Sequence, residues 1–119
     1  MRLLLALPIL PAIVAMVAVH PSAGTDVGTA QARTIYLGQC AVCHGAGGAG
    51  TARGPSILAS GTAGVDFYLT TGRMPIDSPK QAVERHPPRY DAATIGALTR
   101  YISQLPGFHG PDIPKVETA

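Results

Sequence analysis

The spacing of apolar residues along the chain predicts three short helices that are separated by loops. The first helix is expected to begin at an N-cap, either Asp26 or Thr29, and to end near Gln39, because apolar residues recur there with a period of about 3.6. A second helix is expected over residues 65–71, with Gly72 as a typical stop after its C-terminus. The positions of the first helix that should face inward are Ala32, Ile35 and Tyr36.

The last predicted helix has the clearest apolar stripe. It begins at Asp91, a residue type that caps helix N-termini well, and it runs to about Leu105. Pro106 and Gly107 follow and should stop it. The residues expected to be buried are Ile95, Leu98, Ile102 and Leu105.

The loops contain residue types that oppose regular structure. Residues 45–54 include five glycines, and residues 75–88 include four prolines. Glycine lets the backbone approach a ligand closely, whereas proline removes a backbone donor. No segment alternates apolar and polar residues as a half-buried strand would. The chain is therefore predicted to be all-α, with three short helices around a ligand.

The first residues are typical of a targeting segment. Arg2 precedes an apolar run over residues 3–19, as in a secretory signal peptide, but this run of 17 residues is also long enough for an uncleaved anchor. We therefore assign residues 1–24 to a signal peptide or N-terminal membrane anchor, 26–110 to one folded domain and 111–119 to an extended tail. In either case the domain is expected outside the cytoplasm.

Composition restricts the class of partner and explains why a ligand is expected. Nine Lys and Arg residues against seven Asp and Glu give a formal charge of +2, without the long basic stripe that favours nucleic-acid binding. The predicted domain is small, 5% of the chain is aromatic and there is no Trp. A domain of that size buries only about 60–65% of its unfolded surface, so a large apolar cofactor would complete its core.

The most informative motif is a C-x-x-C-H sequence formed by Cys40, Cys43 and His44 and followed by Gly45. This spacing is used to attach a c-type haem covalently. Residues three and four apart share one face of a helix, so each thiol can add to a porphyrin vinyl group while His44 lies under the iron. The motif predicts one covalently bound haem c, with Cys40 and Cys43 as thioether donors and His44 as the proximal iron ligand.

Other uses of paired cysteines fit the sequence less well. A zinc site needs further ligands, but the chain has two cysteines in total, and its other histidines form no pair at ligand spacing. A redox dithiol of the thioredoxin type needs a βαβ context, and no β-rich run precedes Cys40. A structural disulfide is compatible with an exported protein but does not explain His44.

The second axial ligand decides between an electron carrier and an open-site haem protein. Two of the three methionines lie in the targeting segment, which leaves Met74 in the domain. It stands between an arginine and Pro75, an unusual setting for a core methionine, and Met/His ligation is a standard pair in cytochromes c. Met74 is therefore predicted as the distal iron ligand, with His86 and His109 as rivals.

Together these motifs resemble a class I cytochrome c. The matching features occur in the family's order over nearly all of the chain after the targeting segment, and they are residues 40–45, 54–57 and 72–75 and a last helix with Leu98 and Tyr101. A more particular resemblance, to a haem domain of the cytochrome c subunit of menaquinol–cytochrome c reductases from Gram-positive bacteria, is carried by residues 71–75, 87–90 and 110–114. That subunit has two tandem haem domains and a C-terminal membrane helix, whereas this chain has one C-x-x-C-H motif.

The resemblance implies roles for further residues. Pro55 would present its backbone carbonyl to Nδ1 of His44, the type of contact that orients a ligating imidazole. Tyr36 and Tyr101 would pack beside the haem site, where the first and last helices cross.

Basic residues are candidates for two electrostatic roles. Arg53 and Arg73 could neutralise the haem propionates, because Arg suits contact with carboxylates. A basic excess in the proline-rich loop, offset by Glu84, would steer an acidic partner if the loop borders the haem edge. The residues of this excess are Lys80, Arg85 and Arg89.

The resemblance implies a one-electron carrier rather than an enzyme, because filled axial positions leave the iron no place for a substrate. Its partners would be redox proteins of an extracytoplasmic respiratory chain, and residues 3–19 would tether it to a membrane if they are retained. Two alternatives stay open: an electron-transfer subunit of a larger membrane or exported redox enzyme, and an open-site haem enzyme or sensor. No small-molecule substrate is expected.

Overall fold

The computed structural model describes residues 28–117, so the predicted targeting segment and the Asp26 cap lie outside the described residues. Within this range the chain forms three helical stretches, and its only β pairing is one bridge between Thr51 and Gly54. The predicted all-α architecture is confirmed. Its elements are α1 (Thr29–Ile35), a π-helical turn (Tyr36–Cys40), α2 (Ala41–His44), α3 (Gly61–Thr70) and α4 (Ala92–Ser103).

The first helical stretch begins at Gly28 rather than at a side-chain cap. The Gly28 backbone is extended, and its carbonyl accepts hydrogen bonds from the amides of Gln31 and Ala32 at 3.0 and 3.1 Å. Thr29 is already helical, and no side chain caps this end, so the prediction that Thr29 is the N-cap is wrong. Any residue can offer its backbone carbonyl to the first amides of a helix. The preference of Thr and Asp side chains for the N-cap position therefore predicted the wrong start.

The same stretch is longer than predicted, because it continues past Gln39 to His44. The wide π-helical turn keeps the helical path intact between α1 and α2 and delivers Cys40 to the start of the C-x-x-C-H motif. Gly45 then ends the stretch with a φ of 81°, a conformation that favours glycine. The attachment motif is therefore carried by one continuous helical element.

The core forms where this first stretch packs against α4. Ala32 and Tyr36 are fully buried, and the Tyr36 ring lies against Tyr101 with 5.4 Å between the ring centroids. The Tyr36 hydroxyl donates a hydrogen bond of 2.8 Å to the carbonyl of Gly45, so the core is tied directly to the end of α2. The residues of the predicted α4 stripe that are buried are Ile95, Leu98 and Ile102.

The capping of α4 agrees with the sequence. The Asp91 carboxylate accepts a hydrogen bond of 2.8 Å from the amide of Thr94, and this bond lowers the pKa of Asp91. The helix ends at Ser103, two residues before the predicted end, because the chain tightens into i→i−3 bonds there. Leu105 lies just beyond and still packs against the core.

The α3 helix begins four residues earlier than predicted, at Gly61. Its first turn contains two glycines, which are poor helix formers, so residue propensities do not predict a helix there. Gly72 stops the helix as predicted, with a φ of 65°. A Cβ atom at Gly72 would lie 2.1 Å from the carbonyl oxygen of His86, so the proline-rich loop returns closely against this turn.

The C-terminal residues 111–117 contain no helix or strand, but the first of them contact α3. The amide of Ala63 donates to the carbonyl of Pro111 at 3.1 Å, and the Thr62 hydroxyl donates to the Asp112 carboxylate at 3.3 Å. The packed chain therefore extends a few residues past the predicted domain boundary. Within residues 28–117 no helix has the length and hydropathy that a membrane span needs.

Replacing Tyr36 with Phe should keep the ring in the core but leave the Gly45 carbonyl without its donor, at a cost of about 1–3 kcal/mol in unfolding free energy. Burial is the largest cause that raises the pKa of Tyr36 to about 12, and electrostatic interactions with Cys40 and Tyr101 add to it. In the haem-loaded protein burial is still the main cause, since Cys40 as a thioether carries no charge. The phenol ionises less readily when folded, so its stabilisation is complete below about pH 10 and is lost as pH rises towards about 12. Chemical denaturation of the haem-loaded protein across this range should show a flatter pH dependence for the variant.

Tyr101→Phe is the matched control, because it keeps the ring pair and leaves the Tyr36 hydroxyl on Gly45. We expect it to change the unfolding free energy by less than Tyr36→Phe does. Equal losses in the two variants would contradict a specific contribution from the Tyr36 hydroxyl.

Candidate haem-binding site

A cavity of about 500 Å³ opens between four segments of the chain. They are the first helical stretch (residues 29–44), here called the attachment helix, the glycine-rich loop (residues 45–54), α3, and the proline-rich loop (residues 75–88). This volume lies in the range of cofactor cavities, roughly 300–1,000 Å³. Its walls are mainly apolar, and its lining includes residues from each of the three helical stretches. Those central to the site are Cys40, Cys43, His44, Pro55, Ile57, Val65, Tyr68, Leu69, Met74 and Ile102.

The C-x-x-C-H residues all line this cavity. Cys40 ends the π-helical turn, and Cys43 and His44 end α2. The two cysteines form no disulfide with each other, and burial raises the pKa of Cys40 to about 11, so an uncharged form of its sulfur suits the site. Within residues 28–117 no group of three or more His, Cys, Asp or Glu side chains is placed so that it could hold a metal ion.

The His44 imidazole is oriented by the glycine-rich loop. Its Nδ1 lies 2.7 Å from the carbonyl oxygen of Pro55, the contact that the resemblance implies. A carbonyl only accepts hydrogen bonds, so Nδ1 carries the proton and Nε2 keeps its lone pair. The neutral tautomer with a free Nε2 is the form that can bind iron.

The same loop satisfies the backbone at the end of α2. The Thr51 hydroxyl donates to the carbonyl of Cys43 at 2.6 Å, and the Gly50 amide donates to the carbonyl of His44 at 2.7 Å. A Cβ atom at Gly54 would lie 2.9 Å from the Cβ of Cys43, and 3.0 Å from its carbonyl oxygen. The loop therefore lies directly against the backbone of the attachment motif, with no room for a side chain at Gly54.

Met74 reaches the cavity from the turn that follows α3. Its side chain is partly buried, and its amide donates to the carbonyl of Tyr68 at 3.1 Å. The rival ligands do not line this cavity. His86 borders a separate polar cavity of about 210 Å³, and Nδ1 of His109 lies 2.8 Å from the carbonyl of Gly107.

The remaining predicted site residues are divided between the cavity and its surroundings. Arg53 lines the cavity. Arg73 does not, because its guanidinium lies over the Phe67 ring, 4.9 Å from the ring centroid. Tyr36 and Tyr101 also lie outside the lining and pack together in the core. The contacts of Arg53 and Arg73 with propionates stay predictions.

The α3 helix contributes a wall of the cavity that the sequence motifs do not predict. Its lining residues pair at spacings of three and four positions, as one face of a helix requires, and this spacing could have identified them. The proline-rich loop adds a second group of apolar lining residues that no periodicity marks. The missed residues are Gly64, Val65, Tyr68 and Leu69 in the helix and Ile76, Pro79 and Val83 in the loop.

The cavity fits a covalently held haem. It is large and mainly apolar, it presents two thiols at the attachment spacing, and it combines an oriented imidazole with a thioether. These donors match the cysteine attachment and the axial ligands found in cytochromes c. The fold and the site are those of a class I c-type cytochrome with one covalently bound haem c.

The curated relatives of this chain are cytochrome c subunits. It is 33% identical over 84 residues to the cytochrome bc1 complex cytochrome c subunit of Corynebacterium diphtheriae, and 34% identical over 82 residues to that of Mycobacterium tuberculosis. The matches cover 70% and 68% of this chain but 29% of each relative, so the chain spans less than a third of the length of the curated relatives it matches. No family model matches the chain. The protein is thus a cytochrome c that resembles this subunit over about 70% of its own length.

Replacing Gly54 with Ala should push the glycine-rich loop away from Cys43, because the new Cβ would meet backbone and side-chain atoms at 2.9–3.1 Å. Overpacking of this kind costs about 1–3 kcal/mol, and it also displaces the Pro55 carbonyl that orients His44. We expect lower unfolding free energy and a lower yield of covalent haem, measured by denaturation and by haem-stained gels.

Gly47→Ala is the control from the same loop, because a Cβ there would have no neighbour within 4 Å. Its haem yield and stability should match those of the unmodified protein. If Gly54→Ala behaves in the same way, close packing at Gly54 does not support the attachment site.

Proposed function

We propose that this domain is a one-electron carrier of an extracytoplasmic respiratory chain, with His44 and Met74 as the two axial ligands of its haem. The proposal is carried by one observation: a single cavity brings together the two motif cysteines, an oriented imidazole and a methionine from a different element. The bound haem supplies reversible one-electron chemistry at its iron.

The residues of the chain would bind and tune this group. The Pro55 carbonyl holds His44 in the tautomer that leaves Nε2 free. A methionine ligand raises the reduction potential, and an apolar wall does the same by disfavouring extra positive charge. The α3 residues that form this wall and exclude water from it are Val65 and Leu69.

Ligation on both sides favours electron transfer over catalysis, because it leaves no coordination position for a substrate. The curated relatives are likewise named as cytochrome c subunits. An open-site haem enzyme or sensor would instead need Met74 to be a packing residue. The proposed reaction partners are therefore redox proteins and not small molecules.

The proline-rich loop borders the cavity, so its charges would lie near a docking partner. Arg89 forms a 2.8 Å ion pair with Asp77, so Asp77 offsets the basic excess of this loop together with Glu84. Three basic residues then stand against two acidic residues over positions 77–89, a net charge of +1. Electrostatic steering of an acidic partner from this loop should be weak and sensitive to salt.

Met74→Ala should remove the weak far-red charge-transfer band of a Met-ligated ferric haem, lower the reduction potential and allow an added ligand such as imidazole to bind the iron. Optical spectra and potentiometric titration of the purified ferric protein measure these effects. The spectroscopic changes should occur with the covalent haem still attached.

His86→Ala and His109→Ala are the controls, because neither side chain lines the cavity. Both should keep the band and the potential of the unmodified protein. Absence of the band from the unmodified protein, or its persistence in Met74→Ala, would contradict ligation by Met74 and reopen the enzyme or sensor reading.

The second candidate function is a permanent electron-transfer subunit of a larger membrane redox enzyme. The observation that favours it is the resemblance to one part of subunits named for the cytochrome bc1 complex. For this role residues 3–19 would act as a tether, and the domain would lie at the outer face of the membrane.

Purification of the tagged full chain from its own membranes in mild detergent separates these two functions. A subunit should elute with other redox polypeptides at both low and high salt, because obligate interfaces are large and apolar. A mobile carrier should elute alone at high salt, since its contacts are small and charge-assisted. Stoichiometric, salt-resistant partners would therefore contradict the carrier proposal.

A further inference from the structure

The segment that follows α4 runs back across the start of α3, and we call residues 109–113 the strap. The amide of His109 donates to the carbonyl of Leu58 at 2.7 Å, and its carbonyl accepts from the amide of Gly61 at 2.9 Å. The carbonyl of Pro111 accepts from the amide of Ala63 at 3.1 Å. Three backbone hydrogen bonds thus join the strap to Leu58, Gly61 and Ala63, around the start of α3.

The strap takes the place of a cap for α3. Ser60 occupies the N-cap position, but no side chain makes a capping hydrogen bond there. The first amides of any helix lack partners within the helix, and here two of them donate to strap carbonyls. The Asp112 carboxylate also lies at this end, where negative charge is favourable. Gly61 and Gly64 are poor helix formers and weaken the first turn of α3. The hydrogen bonds from the strap therefore stabilise a turn whose own residues favour a helix only weakly.

One side chain of α3, that of Thr62, forms two further hydrogen bonds with the strap. The Thr62 hydroxyl donates to Asp112 Oδ1 at 3.3 Å and accepts from the amide of Ile113 at 3.1 Å. The backbones also meet without space between them. A Cβ atom at Gly61 would lie 2.1 Å from the carbonyl oxygen of Pro111, and one at Gly110 would lie 2.6 Å from the amide nitrogen of Gly61.

The other end of α3 holds the proposed distal ligand. The amide of Met74 donates to the carbonyl of Tyr68, and the amide of Gly72 donates to the carbonyl of Leu69 at 3.2 Å. The intervening face of the helix, with Val65 and Leu69, lines the haem cavity. A shift at the start of this 10-residue helix would therefore be passed to the cavity wall and to the turn that carries Met74.

From these contacts we infer that the strap is a positioning element. It fixes the position of α3 and, through this helix, the position from which Met74 approaches the haem. This inference rests on the ligand role proposed for Met74. Thr62 and Asp112 are positioning residues, because neither lines the cavity and both act through the helix.

The test uses the haem-loaded full chain and two disruptive variants, Thr62→Val and Asp112→Ala. The first readout is amide hydrogen exchange of the reduced protein, resolved by residue. We expect α3 and the Met74 amide to exchange about fivefold faster than in the unmodified protein, the size of effect that follows from losing a helix cap, with α4 unchanged. The second readout, made on the ferric protein, is the temperature at which the far-red band disappears, which should fall further than the temperature of global unfolding.

Two control variants separate positioning from general stability. Asp112→Asn keeps an oxygen that can accept from Thr62, so it should behave more like the unmodified protein than Asp112→Ala does. Thr34→Val removes a hydroxyl that bonds only within α1, at 3.0 Å to the carbonyl of Ala30, and it should leave α3 exchange unchanged.

The outcomes distinguish the two proposals. Equal acceleration in α3 and α4, or none in either, would overturn the strap inference while leaving Met74 ligation intact. A far-red band absent from the unmodified protein would overturn Met74 ligation and the part of the inference that concerns it. Faster exchange confined to α3 and Met74, with early loss of the band, would support both.

Discussion

The buried Tyr36 side chain connects the helical core of this protein to its cofactor site. Its ring packs against Tyr101 where the attachment helix meets α4, and its hydroxyl bonds the Gly45 carbonyl directly after His44. The side chain thus forms one direct link between α4 and the end of the attachment helix, beside the loop contacts that also hold that end. The position of the C-x-x-C-H motif relative to the core depends on it.

Around that connection the site is assembled from loops, and each loop is held by backbone hydrogen bonds. The glycine-rich loop bonds the end of α2 and orients His44 through Pro55. The turn after α3 holds Met74 through the carbonyl of Tyr68, and the strap holds α3 from its other end. Backbone groups suit this work because they need no particular side chain, only glycines where two backbones approach closely. A small domain can in this way surround a large planar cofactor with little regular structure.

The resulting arrangement suits the electron-carrier function proposed above. With His44 and Met74 as axial ligands, the apolar cavity would favour a high-potential haem that exchanges electrons without binding substrate. The matched relatives are named as cytochrome c subunits of the cytochrome bc1 complex, and each is more than three times as long as the matched region. The same haem domain is compatible with a mobile carrier or with a place in a larger assembly, because its core and its cavity are both contained within one unit.

Much of this protein was determined by its sequence alone. The C-x-x-C-H spacing depends on local helical geometry, so it identified the haem and its attachment without a structure. The α4 stripe and its Asp91 cap are also local patterns, and they were predicted to within two residues. What only the tertiary structure decided lies in contacts between distant segments. The early start of α3 depends on a strap about fifty residues later in the chain. The Arg73 side chain lies on Phe67 rather than at the cavity, and this placement depends on how the turn after α3 packs. Such contacts leave no periodic signal in the sequence, because they join backbone groups and single side chains that folding alone brings together.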